Sequence, residues 1–121
     1  MRVEQVDFVS VPTRDAARAV AWYRDVLGLP VSDFTDAEVE TPNVTLSFWD
    51  PEADGEEFAP NAAGVALRVS DVEAAVEEVR AAGGEVVGIV DSGVCHMGFV
   101  KDLDGNVLIL HHRYAPREQR G

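Results

Sequence analysis

The chain has 121 residues, 46% apolar and 26% charged, with 22 Asp and Glu against 10 Lys and Arg for a formal charge of -12. Such a composition excludes a disordered chain, and it lacks the basic stripe that nucleic-acid binding requires. One domain of this length hides roughly two-thirds of its unfolded surface, enough for a core without staples.

No apolar run approaches the ~20 residues of a membrane span. The opening Met1-Arg2-Val3-Glu4-Gln5 lacks the apolar stretch of an export signal, and the single cysteine, Cys95, allows no internal disulfide. The expectation is a soluble cytoplasmic protein with no membrane partner. The acids are unevenly placed: residues 25–67 hold ten and no Lys or Arg.

In chain order, Val6 to Val11 reads as a strand ending at Pro12. Asp15 is an N-cap for a helix to Leu27, whose apolar residues Ala16, Ala19, Val20, Tyr23, Val26 and Leu27 share one side. Gly28 stops it, and Pro30 lies just beyond. Extended stretches follow at Val31 to Phe34, about Glu38 to Thr41, and Val44 to Trp49, then a loop over 50–62. Gly64 to Val69 is the next strand, Asp71 caps a helix from Val72 to Ala82, and Gly83-Gly84 ends it. Three more strands are expected at Glu85 to Val90, Val94 to Lys101 and Val107 to Arg113, with Asp104-Gly105-Asn106 turning between the last two.

The second half repeats the first. A shift of 56 residues lays Val9 on Val65, Asp15 on Asp71, Ala19 on Ala75, Val20 on Val76, Arg24 on Arg80, Gly28 on Gly84 and Val31 on Val87. A repeat of that kind outranks single motifs in choosing a fold. The predicted class is α+β: two tandem βαβββ modules, about 3–50 and 63–114, within one domain spanning 1–121. They would form a curved mixed sheet with an open cleft and with the helices on its outer face.

Paired βαβββ modules, Ala21-Trp22-Tyr23-Arg24-Asp25-Val26-Leu27-Gly28-Leu29 closing the first helix, and Lys101-Asp102-Leu103-Asp104-Gly105-Asn106 before the last strand together resemble the vicinal oxygen chelate superfamily. That group includes glyoxalase I, extradiol dioxygenases, fosfomycin-modifying enzymes and bleomycin-resistance proteins. The resemblance covers essentially the whole chain. In metal-using members the first and last strands of each module each offer one His, Gln or Glu ligand to a divalent ion, which acts as a Lewis acid. The resemblance carries these positions onto Phe8, Ser47 (or Leu46 in the other register), Gly64 and Ile109, none an ordinary ligand. It therefore implies no metal and no other cofactor. It also implies a homodimer, because binding clefts of this type commonly use two subunits.

With Phe8 facing the open side, strand alternation gives a cleft lined by Phe8, Ser10, Thr45, Ser47, Trp49, Gly64, Ala66, Arg68, Ile109 and His111. That lining suits a planar or amphipathic small molecule. Trp49 is either a stacking platform or a packing residue, and Arg68 either a partner for a ligand anion or a bridge to an acid of module one. Trp22 and Tyr23 read as packing residues under the sheet.

Two functions compete. The leading one is metal-independent binding or sequestration of a small aromatic or cationic molecule, an antibiotic or metabolite, as in the bleomycin-resistance type. The alternative is a lyase-, isomerase- or dioxygenase-like enzyme with non-standard ligands. Its catalytic candidates are His111, His96 and Cys95, with His96 and His111 together as a possible divalent-metal pair. Adjacent His111 and His112 point to opposite faces, so they cannot share one ion. Asp102-x-Asp104-Gly105 resembles a calcium loop only in part, because its twelfth position is Arg113. Finally, Asp50, Glu52, Asp54, Glu56 and Glu57 read either as a solvated acidic surface or as a lip that attracts a cation.

Overall fold

Alternation along the strands decides which side each module buries. The computed structural model describes residues 1–116 and divides the chain into two compact units, Met1–Asn61 and Ala62–Gly121. Unit one holds β1 (Phe8–Pro12), α1 (Ala16–Leu27), β2 (Glu38–Glu40), β3 (Thr45–Trp49) and a 3-10 helix over Pro51–Asp54. Unit two holds β4 (Val65–Arg68), α2 (Val72–Ala81), β5 (Glu85–Asp91), β6 (Cys95–Lys101) and β7 (Val107–Arg113). The architecture is α+β, and each unit is a mixed sheet with one helix against one face.

In unit one the strand order is β1-β3-β2. Strand β1 runs parallel to β3, from Phe8 opposite Thr45 to Pro12 opposite Trp49, while β2 is antiparallel to β3. Val11, Val39, Leu46 and Phe48 are buried on one face with Ala19, Val20 and Tyr23 of α1. Tyr23 is fully buried and meets Phe48 edge to face at 4.8 Å, a geometry worth about 0.5–1.5 kcal/mol beyond the area it hides. Trp22 meets Tyr23 at 5.2 Å, so both helix aromatics pack as expected.

The expected strand from Val31 to Phe34 shrinks to one bridge, Val31 opposite Val39. Ser32 N donates to Glu38 O and Glu40 N to Pro30 O on either side of it. Beyond that, side chains satisfy the backbone instead: Phe34 N donates to Ser32 Oγ and Ala37 N to Thr35 Oγ1. Short hydroxyl side chains offer the chain a turn in place of a ladder, and here the turn wins.

In unit two the order is β4-β7-β6-β5, with β4 parallel to β7 and the other pairs antiparallel. Val72, Val76 and Val79 of α2 are buried with Val100, Leu108 and Leu110. A bulge between Val86 and Gly88 shifts the β5 register by one residue.

The 56-residue repeat holds at the helix starts. Asp15 accepts from Arg18 N at 3.1 Å and Asp71 from Ala74 N at 3.0 Å, each from an extended backbone. At the helix ends it slips by one: the left-handed residue is Gly28 (φ 70°) after α1 but Gly83 (φ 84°), not Gly84, after α2. The Asp102-to-Asn106 turn is a buried polar knot. Asp102 Oδ1 accepts from the backbone N–H groups of Asp104 and Asn106, and Asn106 Nδ2 donates to Asp102 Oδ2 at 2.8 Å. Among the described residues no helix is long and apolar enough to cross a membrane.

Candidate functional site

The face of unit one opposite α1 is set by the burial of Leu46 and Phe48. Because those two turn inward, Thr45, Ser47 and Trp49 turn outward, which selects Ser47 over Leu46 for the open side. Phe8 and Ser10 stand beside Thr45 and Ser47 on the parallel neighbour, and Glu38 and Glu40 stand beside Ser47 and Thr45 on the antiparallel one. Phe8 is 56% exposed and Trp49 40%. Thr45 Oγ1 donates to Glu40 Oε2 at 2.6 Å, so a half-buried carboxylate lies within the face itself.

Glu38 and Glu40 were missed by the sequence reading, although Glu-Val-Glu alternation around the fully buried Val39 carries the signal. The three-residue strand is too short to announce itself by periodicity.

Trp49 is held by its polar edge. Its Nε1 donates to Asp54 Oδ2 at 2.7 Å, and its carbonyl accepts from Thr13 N. Asp50 caps the 3-10 helix through Glu52 N and Ala53 N, and Glu52 lies 3.8 Å from Arg14 Nε. Arg14 also sits over the Phe58 ring at 4.3 Å. Three of the five acids expected at a lip, Asp50, Glu52 and Asp54, thus have protein partners, and Glu52, Asp54, Glu56 and Glu57 are exposed.

In unit two, Leu108 and Leu110 turn toward α2, which puts Ile109 and His111 on the other face with Ala66 and Arg68 opposite them on β4. Met97 and Phe99 of β6 pair with His111 and Ile109 and join the same face, a contribution the sequence reading omitted. Arg68 is exposed and has no ion-pair partner among the described residues. Gly64 precedes β4 with φ 96°, and a Cβ there would lie 3.2 Å from Ile109 and Val107 side-chain atoms. A side chain at 64 would be both strained and crowded.

The histidines separate. His96 pairs with His112 and Met97 with His111 across β6 and β7, so His96 and His111 lie on opposite faces and cannot chelate one ion together. His112 Nδ1 donates to Val69 O at 3.2 Å. His96 stacks at 4.8 Å on Tyr114, with its Nε2 3.4 Å from Asp91 Oδ2. Asp91 also accepts from Gly93 N and from Tyr114 Oη at 2.7 Å. These bonds, the Gly93 N–H first, hold the Asp91 carboxyl below its ordinary range, and the same carboxylate pushes the Tyr114 phenol up. Cys95 is buried, and its Sγ accepts from Arg113 Nη1 at 3.7 Å rather than facing a histidine base.

The residues at the four carried-over ligand positions do not fit a divalent ion. A phenyl ring, one hydroxyl, a crowded glycine and an isoleucine supply no two good donors. Among the described residues no group of three or more His, Cys, Asp and Glu side chains converges on a possible ion position.

Solved structures share this fold. An antibiotic-binding protein, TnmS3, from Streptomyces sp. CB03234 is 23% identical with a TM-score of 0.76, over 93% of this chain and 98% of that one. The oxidase ChaP-H2 is 22% identical with a TM-score of 0.74, over 94% and 97%. A lactoylglutathione lyase from Agrobacterium tumefaciens is 17% identical with a TM-score of 0.71, over 92% and 95%. No curated protein matches the sequence. The family profile matches residues 5–110, and the chain belongs to the Glyoxalase/Bleomycin resistance protein/Dioxygenase superfamily.

Proposed function

We propose that the protein binds a small aromatic, cationic molecule on its open sheet faces and sequesters it without chemical change. The observation that carries this reading is Trp49. Its N–H is fixed by Asp54 while the indole remains 40% exposed, so the ring can accept a planar ligand without first losing rotamer freedom. Phe8 adds a second exposed ring, Ser10, Thr45 and Ser47 add hydroxyls, and Glu38 and Glu40 add negative charge. A cation over an indole gains about 0.5–2 kcal/mol, and the carboxylates add to that attraction. Gly64, Ala66, Arg68, Ile109 and His111 are proposed to line the open face of module two in its own right. The antibiotic-binding description of the similar Streptomyces protein agrees with this reading.

The alternative is a metal-dependent lyase, isomerase or dioxygenase-like enzyme, and the oxidase and lyase with the same fold keep it in view. Its candidates are His111, on the face away from α2, the exposed His96 beside Asp91, and Cys95. Fluorescence quenching separates Trp49 from the helix residue Trp22. A planar cation such as ethidium should quench the wild type and leave the Trp49→Phe variant almost unchanged. Quenching that survives in Trp49→Phe contradicts the assignment. A homodimer in the cytoplasm completes the proposal, and sedimentation would test the subunit count.

A further inference from the structure

Thr13, Arg14 and Asp15 make the corner between β1 and α1. Thr13 is fully buried, its N–H donates to Trp49 O at 2.8 Å, and its hydroxyl accepts from Asp15 N at 3.1 Å. Asp15 in turn caps α1. The backbone of Arg14 is thus fixed from both sides, while its side chain lies exposed on the surface.

That side chain reaches two points of the acidic segment after β3. Its Nε lies 3.8 Å from Glu52 Oε1, and its guanidinium carbon lies 4.3 Å from the centre of the half-buried Phe58 ring. The chain just after Glu52 is closed on itself. Asp50 accepts from Glu52 N and Ala53 N, Gly55 N donates to Glu52 O, and Glu56 N donates to Pro51 O. Asp54, which accepts the Trp49 indole N–H at 2.7 Å, belongs to that closed turn. Whatever holds Glu52 and Phe58 therefore also holds the acceptor of Trp49.

Charge shows why a holder is needed. Residues 50–62 carry five acids and no Lys or Arg, so the turn concentrates like charge. An exposed ion pair alone counters that weakly. A guanidinium does more than a point charge, because its plane lies against the Phe58 ring while its edge meets Glu52.

We propose that Arg14 is a positioning residue for Trp49. Through Glu52 and Phe58 it latches the 50–58 turn to the β1–α1 corner and so keeps Asp54 in reach of the indole N–H. The consequence for ligand binding rests on the sheet-face reading, whereas the latch itself is measured on Trp49 without any ligand.

Fluorescence anisotropy of the full chain tests it, in a Trp22→Phe background that leaves Trp49 as the single tryptophan. Arg14→Gln should lower the anisotropy toward the value of Asp54→Ala, and Arg14→Lys should fall between wild type and Arg14→Gln. Phe58→Leu, which leaves every charge in place, should lower it as well. Ethidium binding then separates positioning from charge. Positioning predicts binding about threefold weaker in Arg14→Gln, whereas charge alone predicts tighter binding, because a positive group has been removed from near a cation. Unchanged anisotropy in Arg14→Gln, or tighter ethidium binding by that variant, would overturn the proposal. If ethidium does not bind the wild type, the sheet-face reading falls and the anisotropy alone decides the latch.

Discussion

Trp49 at the end of β3 donates its indole N–H to Asp54 on the 3-10 helix at 2.7 Å, across only five residues. The pairing gives the acidic 50–62 loop a positioning role as well as its charge. Asp54→Ala removes the acceptor and frees the indole, with a stability cost of at most about 1 kcal/mol because both groups are exposed. Ligand binding should weaken by roughly threefold to tenfold as the ring regains rotamer freedom. Calorimetric titration of wild type and variant with one ligand gives the ratio; unchanged affinity refutes the positioning role.

The two helix caps should act alike. Asp15→Ala and Asp71→Ala each remove one side-chain bond to a first-turn N–H, and each should cost about 1 kcal/mol in urea unfolding. A large difference between the two would contradict the equivalence of the repeats.

Asn106 is almost fully buried and donates to Asp102, itself buried. Asn106→Ala leaves a buried carboxylate oxygen without that donor and should cost about 1–3 kcal/mol, with little change in ligand affinity. Stability and binding measured together separate this structural role from a metal-binding one. A variant that lost binding at full stability would contradict it.

Asp91 and Tyr114 give stability two pH limits. The folded carboxyl of Asp91 titrates below its ordinary 3.8, chiefly through Gly93 N–H and then Tyr114 and His96. Its contribution is present above that ordinary value and is lost as pH falls through the lowered one. Tyr114, raised above 10.0 chiefly by its bond to Asp91, contributes below its ordinary value and loses that contribution as pH rises through the raised one. Asp91→Asn should flatten both arms of the melting-temperature profile. An unchanged acid arm would show that the cluster does not contribute.

The fold was legible because its strongest signals are local and repeated. Asp15 and Asp71, the valine stripes, and the Asp-Gly-Asn turn all lie where the residues indicate. The strand expected at Val31 to Phe34 failed because Ser32 and Thr35 close local turns that hydropathy cannot reveal. The strand faces were legible: alternation puts Phe8, Ser10, Thr45, Ser47, Trp49, Ile109 and His111 on the sides away from the buried core residues. Cross-strand register was not, because it depends on pairing between distant segments. That is why His96 was matched with His111 when its partner is His112, and why Glu38, Glu40, Met97 and Phe99 were overlooked.

Thermal unfolding of chelator-treated protein against a panel of planar organic cations tests the central claim most directly. At a hundred times its dissociation constant a true ligand adds about 2.7 kcal/mol, a shift of several degrees. The account predicts such a shift for at least one cation, undiminished by the chelator and largely lost in Trp49→Ala. Flat curves across the panel, or a shift that appears only when a divalent metal is restored, would contradict it.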